Sequence, residues 1–128
     1  MPISKIIISA VFTVAFSLAS AGEIKAYDQS TFDLLAKAGR AVVVAVHAGW
    51  CPTCKAQKPI QSELMAQPAY KDVTLLNIDF DSQKPLLKQF KVAMQSTMIA
   101  FRSGKEVARS VGDTTRDGIE GLVKKSLN

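Results

Sequence analysis

Apolar residues along the chain fall into short runs that predict five strands. Residues 41–46 form a continuous apolar run rich in β-branched side chains, and residues 73–79 form a second, mostly apolar run. Such runs are typical of strands that are buried on both faces. Residues 97–101 and 106–111 flank a tight turn and predict an antiparallel hairpin, and residues 23–26 predict a short edge strand.

Four further segments show the spacing of helices with one buried face. The predicted helices cover residues 31–38, 55–67, 85–90 and 115–127. We expect Asp28 or Ser30 to cap the first helix, and Asp81 or Ser82 to cap the third. The order of strands and helices predicts an α/β fold, in which a central mixed β-sheet is flanked by helices on both faces.

Two of these helices carry a clear apolar stripe. In the second helix, Ala56, Ile60 and Leu64 recur every four residues and should be buried. Pro59 lies inside this helix and is expected to kink it, because proline removes a backbone hydrogen bond. In the last helix the predicted buried side chains are Ile119, Leu122, Val123 and Leu127.

Residues 1–21 have the pattern of a secretory signal peptide. Lys5 precedes an apolar stretch over residues 6–18, and Ala19-Ser20-Ala21 fits a cleavage site. The apolar stretch is shorter than the about 20 residues that a membrane-spanning helix needs. We therefore expect cleavage near Ala21, one domain over residues 22–128, and a periplasmic or secreted protein in a compartment where disulfides persist.

The formal net charge is +5, but the lysine and arginine residues are scattered along the chain. Nucleic-acid interfaces cluster basic residues along one face, often interleaved with aromatic side chains, and the sequence shows no such stripe. We therefore expect no nucleic-acid partner.

The chain has two cysteines, Cys51 and Cys54, which are separated by two residues and adjoin its single tryptophan, Trp50. They lie between a predicted buried strand and a predicted helix, so Cys51 should be exposed at the helix N-terminus. Unpaired N–H groups and the positive end of the helix dipole favour a thiolate there. Pro52 suits the first helical position, whose N–H has no partner.

Cys54 lies one turn further along the same helix face and can form a disulfide with Cys51. This bond would close a very short loop, which stabilises a fold poorly and suits a redox switch. We predict that Cys51 attacks a substrate disulfide and that Cys54 resolves the resulting mixed disulfide.

Several motifs in register resemble the thioredoxin superfamily over essentially all of residues 22–128. They are Ala48-Gly49-Trp50-Cys51-x-x-Cys54-Lys55, Pro59, Leu76-Asn77-Ile78-Asp79, Phe101-x-x-Gly104 and Val111-Gly112. The resemblance implies a thioredoxin fold and disulfide exchange with protein substrates, through a redox-active Cys51–Cys54 disulfide and no separate cofactor. It also implies a substrate groove bordered by Trp50, Pro52, Thr53, Gln95, Ser96, Thr97 and Gly112.

Two departures from the superfamily pattern concern the second cysteine. Where thioredoxins carry a buried aspartate that assists proton transfer at this cysteine, the chain has Ala45, and Leu75 replaces the partner lysine. The joint loss is physically coherent, because a buried ion without its partner is strongly destabilising. We expect a more apolar site behind Cys54 and slower resolution of mixed disulfides near neutral pH.

A third departure concerns the loop that faces the cysteines. The position of the superfamily's cis-proline aligns with Ser96. A cis bond before a non-proline residue costs about 2.5–4 kcal/mol, which favours a trans Gln95–Ser96 bond, but the sequence leaves the conformation of this bond open. Ser96 should then bring an N–H and a hydroxyl toward Cys51, alter substrate pairing and leave the site more open to a metal ion.

Three roles are open for His47, the single histidine, four residues before Cys51. It could pack or hydrogen-bond locally at the strand end, tune the Cys51 thiolate as Lys55 could, or ligate a metal with the two cysteines. Met94 and Met98 flank Ser96 and fit either apolar packing or a copper(I) site. We assign no metal site, because no fourth ligand is evident.

The favoured function is an exported thiol–disulfide oxidoreductase, more a reductase than an oxidase, because the chain lacks the helical insertion of the dedicated oxidases. Such a reductase needs an electron donor, for example a membrane thiol-interchange protein, because the compartment is kept oxidising. We expect a monomer. The alternative is a catalytically weak binding or chaperone module that holds a soft metal ion at the cysteine pair, and a purely structural disulfide domain is a third hypothesis.

Overall fold

A computed structural model describes residues 11, 13 and 20–128. Its five strands are β1 (Glu23–Ala26), β2 (Ala41–His47), β3 (Val73–Asp79), β4 (Thr97–Arg102) and β5 (Lys105–Val111). They form one sheet in the order β1-β3-β2-β4-β5. β1, β3 and β2 are parallel, whereas β4 is antiparallel to both β2 and β5, so the predicted mixed sheet and its edge strand are confirmed.

The helices are α1 (Gln29–Lys37), α2 (Pro52–Met65), α3 (Lys84–Gln89) and α4 (Arg116–Lys125), with a 3₁₀ turn at Pro68–Tyr70. α2 and α4 cover one sheet face, where Leu64 and Ile119 pack against Val43 and Leu75. α1 and α3 cover the other face with an independent apolar cluster. Helices therefore flank both faces, as predicted.

Several element ends differ from the sequence-based expectation. Asp28 caps α1 by accepting from the Thr31 N–H, so this helix begins two residues earlier than predicted. Neither Asp81 nor Ser82 caps α3, because the Asp81 N–H and the Ser82 hydroxyl both donate to the Asp79 carboxylate. α3 instead begins after Gln83, whose side chain accepts from the Asp79 N–H.

The buried stripe of α2 is also different from the predicted one. Ala56 is exposed and Ile60 is only partly buried, whereas Leu64 is buried as expected. Gln57 and Gln61 are buried in their place. The helix starts at Pro52 rather than residue 55. Two loops offer carbonyl partners to the Gln57 amide, and Met98 of β4 lies beside the Gln61 amide, neither of which an apolar periodicity can reveal.

The predicted signal peptide over residues 1–21 lies almost entirely outside the described residues. Within the described part of the chain, no helix has the length and apolar character needed to cross a bilayer.

Candidate active site

The two cysteines lie where β2 ends and α2 begins. Cys51 is the N-cap of α2, with an extended backbone, and Pro52 is the first helical residue. The Cys51 sulfur accepts a hydrogen bond from the Cys54 N–H at 3.1 Å. The sulfur therefore occupies the place of a capping oxygen, where free N–H groups and the helix dipole stabilise negative charge.

Both cysteines are buried, and the expected exposure of Cys51 is wrong. Cys51 is 1% exposed and Cys54 3% exposed, and they cluster with Ala48 and the partly buried Phe80. The capping geometry explains this burial, because it turns the Cys51 sulfur back toward the helix N–H groups rather than outward.

The electrostatic environments of the two thiols are different. Burial raises the pKa of Cys51, but hydrogen bonds from the Cys54 thiol and N–H, with weaker ones from Gln95 and Thr53, outweigh it and leave this pKa lowered. Burial, the hydrogen bond with Cys51 and the Cys51 charge raise the pKa of Cys54. The first sulfur is thus the easier to ionise and the second holds its proton, which matches the predicted nucleophile and resolving thiol.

The loop around Ser96 has a backbone conformation that the sequence left open. No cis peptide bond occurs anywhere in the described chain, so the Gln95–Ser96 bond is trans. Ser96 has a φ of 59°, and its N–H donates to the Val46 carbonyl at 2.8 Å. Proline fits neither feature, because its ring fixes φ near −65° and it has no N–H.

The polar groups of Ser96 serve the loop itself. Its hydroxyl donates to the Gln95 carbonyl at 2.6 Å, so the expected approach of this hydroxyl toward Cys51 is wrong. Its carbonyl accepts from the Gly112 N–H at 3.0 Å and from the Gln57 side chain at 3.1 Å. The same Gln57 amide donates to the Asp113 carbonyl at 2.9 Å. A buried glutamine that the sequence pattern did not identify thus joins α2 to two loops beside the site.

The predicted groove residues divide into exposed and buried ones. Trp50 is 58% exposed, and Pro52 and Gly112 are also exposed, so all three can contact a partner. Thr53 and Gln95 are half-buried. Thr97 is buried and its hydroxyl donates to the Met94 carbonyl, so its side chain cannot border a groove, contrary to expectation.

Trp50 is held by residues that sequence reasoning missed. Its indole N–H donates to the Asp81 carboxylate at 2.8 Å. Its ring also packs edge-on against Phe80, with ring centroids 6.5 Å apart. Both partners follow β3 and lie 30 residues or so away in sequence, so no local signal could have identified them.

His47 and Lys55 lie beside the second cysteine rather than the first. They line a cavity of about 100 Å³ together with Ala48, Gly49, Cys54 and Lys58. Neither residue is among the groups that shift the pKa of Cys51. The expected tuning of Cys51 by these two residues is therefore not supported.

Metal ligation finds little support in the described residues. They contain no group of three or more His, Cys, Asp or Glu side chains arranged to hold an ion. Met98 is fully buried, and its sulfur lies 3.5 Å from the Gln61 side-chain nitrogen, so it belongs to the core. Met94 is half-exposed.

Comparisons with known proteins agree with this fold and cysteine motif. The thioredoxin family profile matches residues 23–125. Thioredoxin from Chlamydia muridarum is 39% identical over 84 residues, which cover 66% of this chain and 80% of the relative. Thioredoxin from Chlamydia pneumoniae is 31% identical over 102 residues, which cover 80% and 97%.

A solved structure gives the same result. The crystal structure of Trxlp from Edwardsiella tarda superposes with a TM-score of 0.75 at 40% identity, covering 77% of this chain and 97% of Trxlp. Its fold matches the five-stranded sheet with helices on both faces described above. The chain belongs to the thioredoxin family and is a thiol–disulfide oxidoreductase.

Proposed function

We propose that the protein is an exported reductase of protein disulfides that acts through Cys51 and Cys54. The observation that carries this proposal is the geometry of the pair, in which the Cys51 sulfur caps α2 and accepts a hydrogen bond from the Cys54 N–H at 3.1 Å. Hydrogen bonds from the Cys54 thiol and N–H lower the pKa of Cys51, whereas burial is the main cause that raises the pKa of Cys54. Stepwise disulfide exchange requires one thiol that ionises easily and attacks first, and a second thiol that stays protonated until it resolves the mixed disulfide.

The reaction has two steps. The Cys51 thiolate attacks one sulfur of a substrate disulfide, forms a mixed disulfide and releases the other substrate sulfur as a thiolate. Cys54 then loses its proton and attacks the Cys51 sulfur, which releases the second substrate thiolate and leaves a Cys51–Cys54 disulfide. Two electrons pass from the cysteine pair to the substrate, whose thiolates take protons from water.

The direction of transfer is supported by the small size of the segment between β3 and β4. This segment contains only the six-residue α3, without the helical insertion of dedicated oxidases. A reductase in an oxidising compartment needs a supply of electrons, and we propose a membrane thiol-interchange protein as the donor. Protein substrates would contact the exposed Trp50 and Gly112 beside the cysteines.

Export is supported by the position of the proposed cleavage site relative to β1. Gly22, directly after the proposed cleavage site, packs so closely that a Cβ atom there would lie 2.6 Å from the Tyr70 carbonyl oxygen. β1 begins at the next residue. Cleavage near Ala21 would therefore release the whole sheet and would leave the periplasmic or secreted domain, which we propose is a monomer.

Trapping tests the exchange. The Cys54→Ala variant, exported with its own residues 1–21, should accumulate mixed disulfides at Cys51 that dithiothreitol releases, and the mature N-terminus should be Gly22. The Cys51→Ala variant is the matched control and should trap nothing. The proposal fails if both variants give the same result, or if the purified wild-type protein does not reduce insulin in the presence of dithiothreitol.

The burial of both sulfurs favours one competing function, a binding or chaperone module with slow turnover. Such a module would show a reduced cysteine pair that binds zinc or copper(I) tightly and reduces insulin no faster than dithiothreitol alone. The reduction potential, followed through the fluorescence of Trp50 next to Cys51, should be measured on the same sample. If the cysteine pair equilibrates with glutathione and the protein reduces insulin rapidly, the binding module is excluded.

A further inference from the structure

Resolution of the mixed disulfide requires that Cys54 lose its proton, and the site has an unusual means of accepting it. Burial is the largest cause of the raised pKa of this thiol. Ala45, on the strand behind it, offers no carboxylate. The residues of β2 alternate between the sheet faces, and Val43 and Ala45 face α2. His47 is the next residue of β2 in this alternation and reaches the open end of the same face.

A cavity lies between this histidine and Cys54. It has a volume of about 100 Å³, and both His47 and Cys54 line it. Water takes about 30 Å³ per molecule in the liquid, so the cavity has room for a short hydrogen-bonded water chain. Imidazole accepts protons near neutral pH, which the backbone groups and the lysines of the lining cannot do.

The charges that face His47 support this role. Asp79 is its neighbour across the parallel β2–β3 pair, where adjacent strands lie about 4.8 Å apart. The Asp79 pKa is lowered by its hydrogen bonds from Ser82 and Asp81, with a smaller contribution from His47, so this carboxylate is charged and stabilises an imidazolium. Lys55 and Lys58 of α2 oppose that imidazolium but favour a Cys54 thiolate in the same cavity.

We propose that His47 is the proton acceptor for Cys54, with water in the cavity carrying the proton between them. The Cys54 S–H bond breaks, the proton reaches the imidazole, and the thiolate attacks the Cys51 sulfur while the bond from Cys51 to the substrate breaks. The imidazolium then returns its proton to solvent. This inference depends on the exchange reaction proposed above and assigns its second step to a residue outside the cysteine motif.

Ellman's reagent separates the two steps in one experiment. The reduced protein releases a first thionitrobenzoate when Cys51 attacks the reagent, and a second when Cys54 displaces the label from Cys51. For the wild-type protein, we expect the rate of the second release to rise with pH and then to level off once the proton acceptor is unprotonated. The His47→Gln variant should lose this levelling and resolve roughly 100-fold more slowly at pH 7, with the first release unchanged.

Two further measurements keep the result interpretable. Free imidazole should restore part of the second-step rate in His47→Ala, and the Lys58→Gln variant should keep the levelling because only a charge has been removed. A His47→Gln second step with the wild-type rate and pH profile would overturn the proposal. So would a wild-type rate of the second release that rises with pH without levelling, which decides the matter even if the variants fold poorly. Failure of the first release in the wild-type protein would instead reject the exchange function.

Discussion

The two faces of the sheet differ in what they bury. The face covered by α1 and α3 packs Tyr27, Phe32, Phe90 and Phe101 as a group of rings whose centroids lie 5.2–5.9 Å apart. The face covered by α2 and α4 buries Gln57 and Gln61 beside its apolar side chains, and Cys54 lies on the same helix. The first face mainly stabilises the fold and touches the site only through the partly buried Phe80, whereas the second also orders the loops around the cysteines.

This difference has a physical reason. Aromatic packing is insensitive to the loops, while a buried amide must find partners wherever the chain provides them. Gln57 finds them in the carbonyls of Ser96 and Asp113, which belong to loops on either side of β4 and β5. The stability of the α2 face and the geometry of the site are therefore coupled through buried polar groups, whereas the α1 face meets the site only through the partly buried ring of Phe80.

The largest expected effect is on the aromatic face. Phe101→Ala should lower the free energy of unfolding by about 3–5 kcal/mol, because it removes a buried ring that packs on both Phe32 and Phe90. Urea denaturation measures the loss. If the faces are as separate as the structure indicates, the pH dependence of Cys51 alkylation stays at its wild-type position. A clear shift of that pH dependence would contradict the comparison.

Ser96→Pro should change both stability and exchange, because it alters the loop that Gln57 holds. Proline cannot adopt the φ of 59° and removes the hydrogen bond to Val46, so we expect a loss of about 3 kcal/mol or a rearranged loop. Rates of insulin reduction and the proteins trapped by Cys54→Ala should both change. Ser96→Ala keeps the N–H and is the matched control. Unchanged rates and partners in the proline variant would show that this loop does not select substrates.

The α2 face should also lose stability at high pH. The pKa of Tyr70 is raised from its ordinary value of 10.0 to about 12, mainly by burial and then by its hydrogen bond to Glu120. A raised pKa in the folded state gives stability that is complete below pH 10 and is lost as pH rises through about 12. The loss should approach 2–3 kcal/mol, from about 1.4 kcal/mol per unit.

Comparison with Tyr70→Phe isolates this contribution. The phenylalanine variant has no phenol to ionise, so its free energy of unfolding should fall less between pH 10 and 12 than that of the wild-type protein. Parallel curves for the two proteins over this range would show that Tyr70 does not contribute to the alkaline transition.

The smallest expected effect concerns the thiol itself. Gln95→Ala removes the side-chain hydrogen bond that Gln95 donates to Cys51. The pKa of this thiol should therefore rise, and its alkylation by iodoacetamide should require a higher pH. Stability should change by less than about 1 kcal/mol, because Gln95 is only half-buried. Gln89→Ala, on α3, provides a control that is remote from the cysteines. A lower pKa in Gln95→Ala would mean that this side chain shields Cys51 rather than stabilising its thiolate.

The sequence by itself determined the frame of the protein. Continuous apolar runs gave β3 with its observed ends and β2 to within one residue, because burial on both faces leaves a local signature. The cysteine spacing at a strand-to-helix turn placed Cys51 at the start of α2, and the cost of a cis bond before serine favoured, without fixing, the trans Gln95–Ser96 bond. Each of these features depends on residues that are close together in the chain.

Only the tertiary structure decided what surrounds the two sulfurs. Four features join residues from separate elements. They are the burial of Cys51, the insertion of Gln57 between two distant loops, the anchoring of Trp50 by Asp81 and the cavity between His47 and Cys54. Hydrophobic periodicity reports which side of an element faces the core and contains no information on which polar group another loop will bring to it. The sequence therefore predicts the two reacting cysteines, and only the tertiary structure shows the surroundings that set their reactivity.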